Sequence, residues 1–127
     1  MGQQILLDST VIIAALRETD SHFDDAKEIF MSSSKSSLAI SAITLTESLI
    51  RPYSLGEIQA TRAESKIRSL IGTIHPLDGE TAVLSARIRS EHKTNISDAM
   101  IIATAIKTES TLVSFDRKMM GLYERIK

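Results

Sequence analysis

The chain contains no cysteine. Disulfides, thiolate zinc sites and cysteine nucleophiles are therefore excluded. Two prolines and five glycines are too few for a collagen-like or linker-rich protein. The sequence has no Gly-x-Ser-x-Gly elbow and no glycine loop able to cradle phosphates, since Gly56, Gly72 and Gly79 are scattered. Neither sign of charge dominates: 15 basic residues stand against 16 acidic ones, a net charge of -1. No global basic field advertises nucleic-acid binding. Any such function must draw positive charge from local patches or bound cations. No apolar run approaches membrane-spanning length, and no signal-peptide pattern opens the chain, so the expected location is the cytoplasm, with no membrane partner. What is present is ordinary for a folded protein: 127 residues, 43% hydrophobic and 24% charged. That length fits one domain over residues 1–127 with a sizeable core.

Short apolar runs read as strands at Gln4–Leu7, Leu38–Ile40 and Thr111–Val113, and Thr73–His75 is a brief strand candidate before Pro76. Helical periodicity fills the intervals. Ala14, Ala15 and Leu16 tip Thr10–Arg17 towards a short helix despite its β-branched residues. Phe23, Ala26, Ile29 and Phe30 recur at helical spacing, and the serine-rich Met31–Ser37 segment reads as loop. Ala42–Arg51 is a helix expected to stop at Pro52. Ser54 and Glu57 form a capping-box pattern for a helix reaching about Ile71. That helix carries Arg62, Lys66 and Arg68, read as a solvated face. Asp78 is the expected cap of a helix to about His92, Ser97 of Asp98–Lys107, and Asp116 of Arg117–Leu122. Alternating strands and helices predict an α/β/α sandwich, three layers around a central, mostly parallel sheet.

Right-handed crossovers bring the carboxyl ends of parallel strands to one edge, where ligands bind in open α/β sheets. Asp8 and Asp116 each follow a strand. Glu47 shares a helix face with Ile43 and Ile50, so it lies either at the rim of the core or facing a pocket. Asp98 opens a helix, where the dipole favours a carboxylate, yet Ile101 and Ile102 place it on the inward stripe. Each acid has a structural alternative, as a cap, a helix-start charge or a surface group. Together they are candidates for one cluster. Converging carboxylates raise each other's pKa unless cations intervene, and an all-oxygen set suits Mg²⁺ or Mn²⁺. Such ions activate water and clamp phosphodiester oxygens. His22, His75 and His92 are isolated and read as structural or exposed.

Four segments carry a family resemblance. They are Leu6-Leu7-Asp8-Ser9-Thr10-Val11-Ile12, Ile40 to Glu47, Ile96-Ser97-Asp98 through Ala105, and Thr111 to Asp116. Together they resemble the PIN-domain ribonucleases, specifically the VapC-type toxins of toxin–antitoxin pairs. Thr10 stands where Asn or Ser is more usual, Ser97 where Pro is frequent, and Phe115 is bulkier than the common residue. The resemblance implies a PIN-like fold, endoribonuclease activity dependent on Mg²⁺ or Mn²⁺, an RNA substrate, a homodimer and an antitoxin partner. It further implies Asp8, Asp98 and Asp116 as metal ligands, with Glu47 a further ligand or the residue that orients the attacking water. Ser9 and Ser114 become supporting hydroxyls. Three other functions share some of these features: a PIN-like binding module, a non-toxin RNA-processing nuclease, and an aspartate-phosphotransfer domain. The last expects a second acid two residues after Asp8, where Thr10 stands.

Overall fold

A computed structural model describes residues 3–127. In chain order the elements are β1 (Ile5–Leu7), α1 (Ser9–Leu16), α2 (Phe23–Ser32), a 3-10 turn (Lys35–Ser37), β2 (Leu38–Ser41) and α3 (Ala42–Leu55). There follow α4 (Glu57–Leu70), β3 (Thr73–His75), α5 (Gly79–Glu91), α6 (Ile96–Lys107), β4 (Thr111–Val113) and α7 (Arg117–Ile126). The four strands form one parallel sheet in the order β3-β2-β1-β4.

Alternation along a strand sends successive side chains to opposite faces, and here that divides the core. Leu6, Ala39 and Leu112 pack with residues of α5, α6 and α7. Leu7, Leu38 and Ile40 pack on the other face with residues of α1, α2 and α4. The result is the expected three-layer α/β/α sandwich. The chain runs outward from β1 to β2 and β3, then returns to the far side of β1 as β4. Such a reversal opens a crevice at the carboxyl ends of the two strands that flank it. No helix among the described residues is long and apolar enough to cross a membrane.

Local chemistry departs from the sequence expectation at several ends. Pro52 does not stop α3, which runs through its last turn to Leu55. The ring removes one donor there, and the turn is ended by Gly56, whose φ of 122° suits glycine. The Ser54 capping box does not form: Ser54 Oγ donates to the Arg51 carbonyl at 2.6 Å, and Gly56 occupies the cap position of α4 without a side-chain bond. Asn95 rather than Ser97 caps α6, its Oδ1 accepting from the Asp98 amide at 2.8 Å. Ser97 instead donates to the same Asn95 oxygen at 3.0 Å. Lys35–Ser37, within the expected loop, makes a 3-10 turn, and α7 continues past Leu122 to Ile126.

Candidate functional site

The crevice between β1 and β4 is stitched by hydroxyl groups around a buried acid. Asp8 closes β1, its amide donating to the Val113 carbonyl of β4 at 3.2 Å. It is 3% exposed. Its side chain caps α1: Oδ1 accepts from the amide of Thr10 at 3.1 Å and from its hydroxyl at 2.5 Å. Ser114, just beyond β4, donates to Oδ2 at 2.8 Å. Burial pushes the Asp8 carboxyl above its ordinary value, and the Thr10 and Ser114 hydroxyls pull part of the way back.

Ser114 also accepts from the Asp116 amide at 2.9 Å, so one hydroxyl links the two strand-end aspartates. Asp116 in turn caps α7, its Oδ1 accepting from the amides of Lys118 at 3.0 Å and Met119 at 3.2 Å. Both aspartates are therefore helix caps and also members of the crevice. Ser9 makes no side-chain hydrogen bond to these acids among the described residues. Thr10 takes that place, and its hydroxyl accepts from the Phe115 amide at 3.0 Å as well.

Asp98 lies in the first turn of α6, partly buried. Its carboxyl is raised, first by desolvation and then by the negative charges of Asp116, Glu47 and Asp8 in turn. Asp98 thus lies within electrostatic reach of the other three acids, although they come from separate elements. Glu47, inside α3, has its Oε1 buried with no hydrogen-bond partner. A buried carboxylate oxygen left unpaired costs free energy that a bound cation or donor would recover.

The acids do not form a ready-made cage: no three acidic or histidine groups among the described residues stand together closely enough to enclose an ion. An open arrangement still fits a small hard cation. Mg²⁺ keeps several waters and is held through one or two carboxylates with phosphate oxygens completing its shell. The donor set is all oxygen, and the unpaired Glu47 Oε1 lacks a partner that a cation or its bound water would provide.

Two recesses adjoin the acids. A groove of about 560 Å³ between α1, α3 and α4 includes Glu47 and Ser48 in its wall. A smaller pocket of about 180 Å³ includes Asp98 and Asp116. His22, isolated in the sequence, stacks on Phe115 with ring centroids 4.6 Å apart and planes 18° from parallel. That stack does not follow from linear spacing, whereas the contact of Thr10 with Asp8 could have been found by asking which hydroxyl sits two residues after a capping aspartate.

A parallel sheet with acids gathered where its strand order reverses defines an α/β fold of the kind that works at its carboxyl edge. The chain belongs to the PIN domain family, whose model matches residues 5–124. Among solved structures, FitAcB of Neisseria gonorrhoeae is 26% identical, with a TM-score of 0.79 over 95% of this chain and 94% of that one. A toxin–antitoxin complex from Klebsiella pneumoniae is 25% identical, with a TM-score of 0.76 over 92% of this chain and 90% of its own. Mycobacterium tuberculosis VapC20, a toxin that cleaves the sarcin–ricin loop, shares the fold at 17% identity. Its TM-score is 0.78 over 93% of this chain and 94% of that one. No curated protein matches the chain by sequence.

Proposed function

We propose that the chain is a single-domain cytoplasmic endoribonuclease that depends on Mg²⁺ or Mn²⁺ and serves as the toxin of a toxin–antitoxin pair. The observation that supports this reading is that Asp98 lies within electrostatic reach of Asp8, Glu47 and Asp116, with a buried Glu47 oxygen left unpartnered. The toxin role draws on the likeness to FitAcB, to the Klebsiella complex and to VapC20. By the likeness to the Klebsiella complex the partner is an antitoxin, and the family resemblance adds a second copy of the chain.

In this reading Asp8, Asp98 and Asp116 hold the metal, directly or through water, with Glu47 as a further ligand or the group that orients the nucleophile. The ion, when bound, activates water and stabilises charge on the phosphodiester oxygens. The chain's own residues supply the frame. Ser114 and Thr10 fix the Asp8 carboxylate in one orientation through opposite oxygens. Asp116 commits Oδ1 to the α7 cap, and its Oδ2 makes no hydrogen bond among the described residues. As the orienting group, Glu47 would accept a hydrogen bond from the attacking water through its unpaired Oε1. The water oxygen would bond to phosphorus and give up a proton, the bond to the 3′ oxygen would break, and that oxygen would take up a proton. The products are a 5′-phosphate and a 3′-hydroxyl.

The test is incubation of purified protein with structured RNA and Mn²⁺, with and without chelator, followed by analysis of the new ends. Chelator-sensitive cleavage leaving 5′-phosphates, abolished in Asp98→Asn, is the expected result. Cleavage indifferent to chelation would reject the metal-dependent mechanism. For the toxin role, expressing the parent alone should slow growth, and Asp98→Asn should be tolerated. Equal growth at equal abundance would remove that assignment.

A further inference from the structure

Aromatic rings are scarce in this chain, which has three phenylalanines, two tyrosines and no tryptophan. One of them joins the only ring stack among the described residues: Phe115 with His22, centroids 4.6 Å apart and planes 18° from parallel. The two rings come from distant parts of the sequence, His22 from the N-cap position of α2 and Phe115 from the turn between β4 and α7. Phe115 is the backing ring, packed against the core cluster that contains Leu7, Val11 and Ile40. His22 is the outer ring, with 48% of its side chain exposed. The open part of the imidazole is therefore the part turned away from Phe115.

Hydrogen bonds fix where this stack stands. Phe115 lies between Ser114 and Asp116, and its amide donates to the Thr10 hydroxyl at 3.0 Å. That hydroxyl donates to Asp8 Oδ1, and Ser114 donates to Asp8 Oδ2 at 2.8 Å. The backing ring thus shares its loop with one strand-end aspartate and is one hydroxyl away from the other. The outer ring is held too: the His22 amide donates to Asp20 Oδ1 at 2.8 Å, and Nδ1 stands 3.5 Å from Asp25 Oδ2. The imidazole is therefore a fixed, half-open plane and not a freely swinging surface group.

An open aromatic plane offers a seat to an unpaired base, because every base has a π-face and stacking needs no particular hydrogen-bond pattern. Asp20 and Asp25 decide which part of a nucleotide can use it. Their charges repel a phosphate, so the ring takes the uncharged base and not the backbone.

We propose that His22, backed by Phe115, is a specificity residue whose open face stacks one unpaired base of the substrate RNA beside the scissile linkage. The inference rests on the nuclease reading for its substrate and deepens it with a role for two side chains outside the acid cluster. Its consequence is a target that must be unpaired at one fixed position, with little preference for which base stands there.

The test crosses changes in the ring with removal of the base. Cleavage of one RNA in Mn²⁺ is compared for the intact strand and for strands made abasic at each position around the cut in turn. At one position the abasic strand should cost the parent about five-fold or more in kcat/KM. His22→Ala should lose a similar factor on the intact strand and nothing further on that abasic one. His22→Trp, with a larger π-face, should keep the dependence on the base, whereas His22→Leu, which fills the space without one, should behave as His22→Ala. Glu28→Gln, exposed on α2, should leave every strand unchanged. Thermal melts check that each variant is folded. Without metal, the same strands carry 2-aminopurine, whose fluorescence stacking quenches, at each position in turn, and are titrated into the parent and variants with chelator present. Quenching should be confined to that same position and be lost in His22→Ala.

The seat is overturned if no single position matters to the folded parent in either assay. It is equally overturned if His22→Ala slows intact and abasic strands by the same factor, since the stack would then only hold the α1–α2 turn in place. Binding of an arginine-rich peptide that needs His22, with RNA indifferent to its loss, would assign the ring to a cation of a protein partner and also overturn it. Quenching at one position that His22→Ala abolishes, without cleavage under any divalent ion, keeps the seat and removes the nuclease reading. Cleavage at the same rate for every abasic strand does the reverse.

Discussion

Ser114→Ala isolates the hydroxyl that joins the two strand-end aspartates. It removes a donor to Asp8 Oδ2 at 2.8 Å and an acceptor for the Asp116 amide at 2.9 Å. Asp8 is 3% exposed, so water does not readily replace the lost donor. A hydrogen bond to a charged group contributes about 1.5–3 kcal/mol net. With the amide also left unsatisfied, the expected destabilisation near neutral pH is about 2–4 kcal/mol. For a domain of this size that lowers Tm by roughly 5–15 °C. The pH dependence follows from the direction of the Asp8 shift. Burial raises the folded-state pKa above 3.8, and the Ser114 hydroxyl opposes that rise. Removing the hydroxyl raises it further. Above both folded pKa values the ionised carboxylate bears the full loss. As pH falls through the variant's value and then the parent's, both carboxyls become protonated and the charge-dependent part disappears. Near pH 3.8, the ordinary value, only the cost at the Asp116 amide and the weaker bond to a neutral carboxyl should remain. Urea melts of parent and variant with chelator, near pH 3.8 and at about pH 7, provide the measurement. A loss equal at both pH values, or absent at neutral pH, would refute the assignment of Ser114 as a donor to an ionised Asp8.

Asp98→Asn removes a charge disfavoured by burial and by Asp116, Glu47 and Asp8. Against this stands about 0.3–1 kcal/mol of helix-dipole stabilisation, so the metal-free variant should melt at or above the parent's temperature. Mn²⁺ at ~100 times its Kd should stabilise the parent by about 2.7 kcal/mol and the variant much less; equal shifts would place Asp98 outside the metal site. Pro52→Ala restores a donor in the last turn of α3, and regaining one backbone bond, about 1 kcal/mol, against about 0.4–1 kcal/mol of unfolded-state entropy, predicts a Tm at or slightly above the parent's. A lower Tm would mean that the ring's packing in the groove outweighs the missing bond. A Cβ on Gly72 would sit 2.5 Å from the Lys35 carbonyl oxygen, and backbone cannot swing aside as a side chain does. Gly72→Ala should therefore cost about 1–3 kcal/mol, and unchanged denaturant stability would contradict that close approach.

The sheet was legible because β1, β2 and β4 are short apolar runs followed by a polar stop, a signal that survives without knowledge of tertiary contacts, and β3 was marked only by its place before Pro76. Asp8 and Asp116 stood out for the same reason. Glu47 stood out because it interrupts an apolar helical face. Caps were less legible, since Asn95, Ser97 and Asp98 all offer oxygen atoms within one turn. The choice among them depends on which backbone is still extended, and Asn95 is that residue. Pro52 misled because its usual effect assumes a helix interior, and here only the last turn lies beyond it. Thr10, read as a departure from the family pattern, touches Asp8, Ser114 and Phe115 together. Two of those partners lie more than a hundred residues away in sequence, and no local spacing reveals them. The cations of α4, read as a solvated face, are indeed exposed, and Arg62 and Lys66 also line the groove that forms once α1 and α3 are packed beside them.

The double duty of the two strand-end aspartates bears on how this scaffold would lose its chemistry over time. Asp8 and Asp116 each close a helix, so selection for folding alone would keep them in a descendant that no longer cut anything. Their survival in such a lineage would be poor testimony to activity. Glu47 is different: its buried Oε1 bonds to nothing among the described residues, and folding gains nothing from that unpaired oxygen. Once catalysis ceased to matter, a glutamine or an apolar residue there would be tolerated first. Beside the two capping aspartates, Glu47 is thus the more sensitive recorder of whether the domain is still an enzyme.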